Sequence, residues 1–204
     1  MLEGLKIVVS YFALTLILAI PLGVVVMALR LSKNSIISSL TSLYILIMRG
    51  TPLLLQMIVI YYGLPLIGIV FDRFESGIIA FALNYAAYFA EIFRGGILTI
   101  DKGQYEASKV LGFKKVTMYR RIIIPQVIKN ILPPMSNEII TLVKDTSLVY
   151  ILGLNDILRV AQIASNREAS LMPLAYAGII YLLMIAVITK ILQIVEKKYS
   201  YYKK

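Results

Sequence analysis

An all-α membrane protein with five crossings is the fold class this sequence predicts, and three observations predict it. Of its 204 residues, 59% are hydrophobic and 16% charged, and the mean hydropathy is +0.83, well outside the balance of soluble domains. Five apolar blocks recur along the chain, each at or above the roughly 20 residues that cross a hydrocarbon core. Basic residues collect beside these blocks on alternate loops. Cysteine, histidine and tryptophan are absent, which excludes disulfides, thiolate or imidazole metal sites and catalysis by cysteine or histidine. A net charge of +10 could suit nucleic acid, but no polar module presents a basic groove. The cations read instead as topology markers.

The first block spans residues 7–29. It exceeds the roughly 7–15 apolar residues of a signal peptide core and lacks a small-residue cleavage site, so it reads as a retained span. The second block, 40–70, is longer than one crossing requires and contains Arg49-Gly50-Thr51-Pro52. Glycine and proline disrupt regular helix there, so part of this block is expected to be broken or interfacial. The third block covers 77–100, the fourth 122–143 and the fifth 173–195. Residues 102–115 predict a helix of about three turns, bracketed by Gly103 and Gly112, with Gly112 suited to a left-handed exit. Residues 151–172 are less apolar and read as a helix on the outer face, with Asn155 or Asp156 as its cap. No linker or internal repeat interrupts the chain, which is one transmembrane domain over 1–204.

Arg30 and Lys33 follow the first span, and Asp72, Arg73 and Glu75 follow the second. The loop after the third holds Lys102, Lys109, Lys114, Lys115, Arg120 and Arg121. The positive-inside rule then puts the N-terminus outside, the 102–115 loop in the cytoplasm and the C-terminus in the cytoplasm. The tail 197–204 reads as a basic, aromatic anchor to anionic lipid. Tyr11, Tyr44, Tyr61 and Tyr62 fall near expected span ends and read as interfacial anchors.

Glu106-Ala107-Ser108, Gly112 four residues on, nine further residues and then Ile122-Ile123-Ile124-Pro125 form a specific spacing between the third and fourth spans. This stretch resembles the signature loop of permease subunits from bacterial ABC-type importers, with Ser108 in place of the usual second alanine and Ile124 in place of the usual leucine. Residues 48–56, 84–97 and 144–148 narrow the resemblance to the polar amino-acid branch (histidine, glutamine and arginine permeases). The resemblance covers most of the chain from Met48 to Leu148. It implies a type I importer fold in the bacterial inner membrane, with a coupling helix seated in a separate ATPase subunit. It also implies a dimer of permeases, two ATPase subunits that bind ATP and Mg, and an extracytoplasmic amino-acid-binding protein. This chain has no phosphate-cradling Gly-x-x-x-x-Gly-Lys-Ser/Thr loop, so it is expected to be a non-catalytic subunit without a cofactor of its own. Glu106, Ala107, Ser108, Leu111, Gly112 and Phe113 are the candidate coupling residues.

Ionisable side chains within the hydrocarbon region are costly unless paired or hydrated, so each is a candidate functional residue. Glu91 and Arg94 stand three apart and can form an ion pair. Arg49 reads as a structural cation at a helix end, and Lys129 as one that snorkels to the surface. Glu138 falls midway through the fourth span, after Pro133-Pro134, where a break is expected. Glu138, Thr141 and Asp145 share one helical face, and with Asn137 beside them they form the first-choice substrate surface. Asn84 and Gln56 can add neutral hydrogen bonds, while Tyr85, Tyr88 or Tyr61 can cover an aliphatic stem. A carboxylate facing a cavity suits a basic amino acid such as arginine, lysine or histidine. The alternative is an internal pair of Glu138 with Lys129 or Lys144. Glutamine, glutamate or another polar amino acid is the competing substrate within the same family. From other classes, the competitors are a ligand-capturing membrane subunit and an intramembrane enzyme built on paired carboxylates.

Overall fold

Helices α1 (Leu2–Arg30) and α4 (Arg73–Leu98) run side by side in the same direction and form the backbone of the fold. Their contact depends on small residues. A Cβ on Gly23 would lie 2.9 Å from the Phe89 Cβ and 3.2 Å from the Ala86 carbonyl oxygen, so only glycine allows this approach. Along the seam the Tyr11 ring packs edge-on against Phe74 and Phe81, and its hydroxyl donates to the Phe74 carbonyl at 2.9 Å. The computed structural model describes residues 1–199, and all the regular structure it describes is helical. Residues 200–204 of the expected lipid-anchoring tail lie outside the described residues.

The second apolar block is divided. Asn34 caps α2 (Ser35–Gly50) by accepting from the amides of Ile36 and Ile37. After Thr51-Pro52 the chain restarts as α3 (Leu53–Ile58), which continues through a π-helical turn and a 3₁₀ turn to Ile67. The two arms meet at 106°. Asp72 opens α4 with a reciprocal capping box to Glu75, which satisfies two first-turn amides.

Beyond α4 lie the short α5 (Lys102–Val110) and α6 (Lys115–Met118), followed by a π-helical turn over Tyr119–Ile123. Helix α7 (Ile124–Asp145) continues this run, and a 3₁₀ segment over Thr146–Leu152 ends it. Asp156 caps α8 (Ile157–Glu168) through the amides of Leu158 and Arg159, and α9 (Met172–Tyr199) completes the described chain. Among the described residues, α1, α4 and α9 are each long and apolar enough to cross a membrane alone. Two bent pairs also qualify when joined: α2 with α3 and its continuation, and the 115–152 run with α8 at 58°.

Three expectations are corrected. Tyr11 is fully buried and Tyr44 donates to the Leu83 carbonyl at 2.6 Å. Both serve interhelical packing rather than the membrane interface, because each phenol finds a backbone acceptor inside the bundle. The helix also does not break at Pro133-Pro134. Proline removes two amide donors there, but buried Val127, Ile131, Leu142 and Val143 on either side hold the helix against its neighbours. The irregularity falls instead at the π turn, before α7.

The Gly23 contact gives a direct test. Gly23→Val should destabilise the detergent-solubilised protein by about 1–3 kcal/mol, the usual cost of overpacking, and lower its thermal midpoint in a size-exclusion melting assay. Gly178→Ala, inside α9 and facing open space in this chain, should not lower the midpoint, since alanine is the better helix former.

Candidate functional site

Where α2 stops and α3 begins, the broken backbone faces α4 and α7 across a cavity of about 510 Å³. Arg49, Gly50, Thr51, Pro52 and Leu53 supply one wall, Asn84, Tyr85 and Tyr88 a second, and Glu138, Thr141 and Asp145 a third. Glu138, Thr141 and Asp145 meet because spacings of three and four residues stack side chains on one face of a helix. Tyr85 donates to Asp145 Oδ2 at 2.7 Å, which orients that carboxylate. The Arg49 guanidinium carbon lies 5.1 Å from the Tyr88 ring centroid, a cation–π contact. Among the described residues ion pairs within 4 Å join Arg94 to Glu91 and Arg167 to Glu168, and the pairs of Glu138 with Lys129 or Lys144 considered from the sequence are not among them.

Three of the sequence candidates lie elsewhere. Asn137 is exposed and does not line the cavity, because it is rotated about 100° from Glu138 around α7. Its carbonyl accepts from Thr141 Oγ1. Gln56 is buried as a latch: its amide nitrogen donates to the Met48 carbonyl at 2.9 Å, the Thr51 carbonyl at 3.1 Å and Thr51 Oγ1 at 2.8 Å. Its oxygen accepts from Asn84 Nδ2, which also donates to Met48. Asn84 therefore touches the cavity while its amide nitrogen is committed to the latch. Tyr61 lies outside the cavity, its hydroxyl accepting from Arg73 Nε at 3.3 Å. Arg49, read from the sequence as structural, lines the cavity instead. The glycine and proline that follow it were the available signal, since a broken helix brings its last side chain to a cavity.

Away from the cavity, Arg94 grips Glu91 with two hydrogen bonds of 2.8 and 2.7 Å. Helix α5 ends in a Schellman motif: Gly112 has φ +71, its amide donates to the Lys109 carbonyl, and the Phe113 amide donates to Ser108. Glu106 and Ala107 are exposed on α5, and Leu111, Gly112 and Phe113 are exposed beyond it. Ser108 points the other way, only 2% exposed, with its hydroxyl on the Gln104 carbonyl, so it cannot belong to an outward docking face. Val110, at 87% exposure, and Val116 extend the apolar surface beyond the residues picked from the sequence. Burial pushes the Tyr105 phenol up, with Tyr119 beside it, so it stays neutral as it packs α5 onto the following turn.

Residues 19–201 match the family described as binding-protein-dependent transport system inner membrane component. The chain belongs to this family. The permease is 39% identical over 199 residues to the arginine transport system permease protein ArtQ of Bacillus subtilis, covering 97% of this chain and 91% of that protein. It is 38% identical over 198 residues to the putative glutamine transport system permease protein GlnP of Rickettsia typhi, covering 96% and 91%. The crystal structure of an amino acid ABC transporter with histidines superposes with a TM-score of 0.88 at 35% identity, covering 97% of the permease and 92% of that chain. The inward-facing MetNI methionine ABC transporter shares the fold, with a TM-score of 0.74 at 15% identity. As a permease component, this chain has no catalytic role of its own, and the family works with an ATPase and a binding protein.

Because Gln56 donates to three oxygens around the break, Gln56→Leu should destabilise the permease by about 1–3 kcal/mol through groups left unpaired. Thermal melting of the purified protein reads the loss, and Gln56→Glu, which offers at most one donor in place of two, should also lower the midpoint.

Proposed function

We propose that this chain forms the translocation pathway of an ATP-driven importer of polar, basic amino acids (arginine, lysine or histidine) in the bacterial inner membrane. The observation that carries the reading is the charge of the cavity. Glu138 and Asp145 face a single guanidinium, that of Arg49, so with all three ionised one negative charge is left over. A substrate whose side chain carries an extra positive charge completes the balance, because unpaired charges in an apolar setting are strongly disfavoured. Arg49 is placed to receive the α-carboxylate, Glu138 the cationic side chain, and Thr141 a neutral hydrogen bond. The rings of Tyr85 and Tyr88 flank the aliphatic stem. Glutamine is the second reading, supported by the name of the Rickettsia relatives; it would leave the extra charge unmatched.

In this reading the N-terminus lies outside, the C-terminus and α5 lie in the cytoplasm, and two copies of the permease pair about a two-fold axis. Two ATPase subunits, which bind ATP and Mg, receive the exposed surface of Glu106, Ala107, Leu111, Gly112 and Phe113. An extracytoplasmic binding protein delivers the amino acid to the opposite face. ATP-driven closure of the ATPase pair then moves the two α5 helices together and reopens the cavity outward.

Two measurements test this. In proteoliposomes holding the complete complex, Glu138→Gln should lower arginine uptake at least tenfold while changing glutamine uptake by less than threefold; unchanged selectivity removes Glu138 from the site. Gly112→Trp cannot adopt φ +71 without strain, so it should release the ATPase subunits or uncouple hydrolysis from uptake. Wild-type coupling in that variant would place the ATPase contact elsewhere.

A further inference from the structure

A second cavity, of about 320 Å³, shares Arg49 and Gly50 with the central one and is lined by Arg30, Ser42 and Glu91. Helices α1 and α4 run in the same direction, so Arg30 in the last turn of α1 lies toward the end of the bundle from which α5 emerges. The groove thus leads from the central cavity toward the coupling loop. Tyr88 and Glu91 stand three residues apart on α4, one turn from each other, and the Arg49 head packs over the first while lining the groove that holds the second. Arg49 is the seam between the two spaces.

The groove carries both signs of charge, with donors and acceptors to spare. Arg30 donates one bond, from Nη1 to Ser38 Oγ at 2.8 Å, leaving other N–H groups of its guanidinium. Each Glu91 oxygen accepts from Arg94 and keeps a further lone pair. Counting Arg94, three guanidiniums surround one carboxylate, and Ile45 and Leu46 make the remaining wall apolar. Such a cluster suits a carboxylate, which the free N–H groups of Arg30 and Arg49 can receive, and Glu91 beside them keeps acceptor capacity for an ammonium group.

We infer that this groove is a second, weaker site for a free amino acid, with Arg30 and Arg49 facing its α-carboxylate and Glu91 its α-ammonium. It lies on the way from the central cavity to the α5 end of the bundle. The inference rests on reading the central cavity as the primary substrate site. Because Arg49 borders both spaces, a carboxylate can pass from one to the other while remaining within reach of the same guanidinium.

Equilibrium dialysis tests it, with radiolabelled arginine and the nucleotide-free complete complex in phosphatidylcholine nanodiscs. Wild type should bind two arginines per permease chain, the second with at least tenfold weaker affinity. Glu91→Gln and Arg30→Gln should each lose the weak site and keep the tight one, whose retention also reports correct folding. Glu138→Gln should weaken the tight site and leave the weak one. Saturation of wild type at one arginine per chain overturns the inference, as does retention of both sites in the Glu91 and Arg30 variants. Loss of the weak site in nanodiscs containing phosphatidylglycerol would also overturn it, assigning the groove to an anionic lipid headgroup. Should Glu138→Gln leave both sites intact while Glu91→Gln removes the weak one, the central-cavity reading fails and the groove assignment stands.

Discussion

The structure depends on satisfying a broken backbone inside an apolar medium. Between Gly50 and Leu53 the chain leaves helical geometry, and no bulk water is available in the apolar core of a bilayer to take up the freed carbonyls. Two side-chain amides take that role. Gln56 spreads its donors over the Met48 and Thr51 carbonyls and the Thr51 hydroxyl, and Asn84 joins Gln56 to Met48 from the neighbouring helix. Each such bond adds about 1 kcal/mol net, but leaving its buried partner unmet costs about 1–3 kcal/mol. Without the latch the break would be disfavoured, and without the break no wall of the central cavity would face α7.

That break makes a mid-bundle cavity possible, and the cavity makes the charges tolerable. Glu138 and Asp145 sit on a face of α7 that would otherwise press against α2 and α4. The gap lets water or a ligand reach them, and Tyr85 holds Asp145 in place with a short hydrogen bond. Arg49 closes the arrangement from the end of α2. Its cation–π contact with Tyr88 keeps the guanidinium on the cavity that both carboxylates line. A site of this type is poised for a ligand that brings its own charges.

Much of this was legible in the chain because it follows from periodicity and length. The apolar blocks, the Arg49–Pro52 break, the Glu138–Thr141–Asp145 face and the glycine exit at Gly112 each rest on a local rule. What escaped depends on which neighbour a residue meets. Tyr11 and Tyr44 carry the composition of interface anchors, yet their partners are carbonyls of α4, more than 30 residues away in sequence. Ser108 sits in a loop that reads as exposed along its whole length, but one face of α5 rests on the bundle. Gln56 is the sharpest case: a polar residue in a span suggests a ligand contact, and only the location of the broken backbone shows that its hydrogen bonds are already committed. Pro133-Pro134 failed in the opposite sense, since tertiary packing overrode a strong local breaker.

The same packing determines how a movement at α5 would reach the cavity. From Lys115 the chain is helical through the π turn and α7 to Leu152, and Glu138 lies roughly 35 Å along that run at 1.5 Å per residue. Near its middle Ile131, with Val127 beside it, occupies the space left by the missing side chain of Gly96 on α4, a close contact that only glycine allows. Below that contact lies the π turn, and above it lie the two prolines; both lack the regular ladder of i to i−4 bonds and so bend more easily than the segments around them. Bends at these two places would let the segment between them and beyond them change angle against α4. A displacement of the α5 end would therefore swing Glu138 and Asp145 relative to the Arg49 wall, which the Gln56–Asn84 latch fastens to α4. In the proposed importer the carboxylates would then move while the guanidinium stays, and the cavity would change its width without any chemistry performed by this chain.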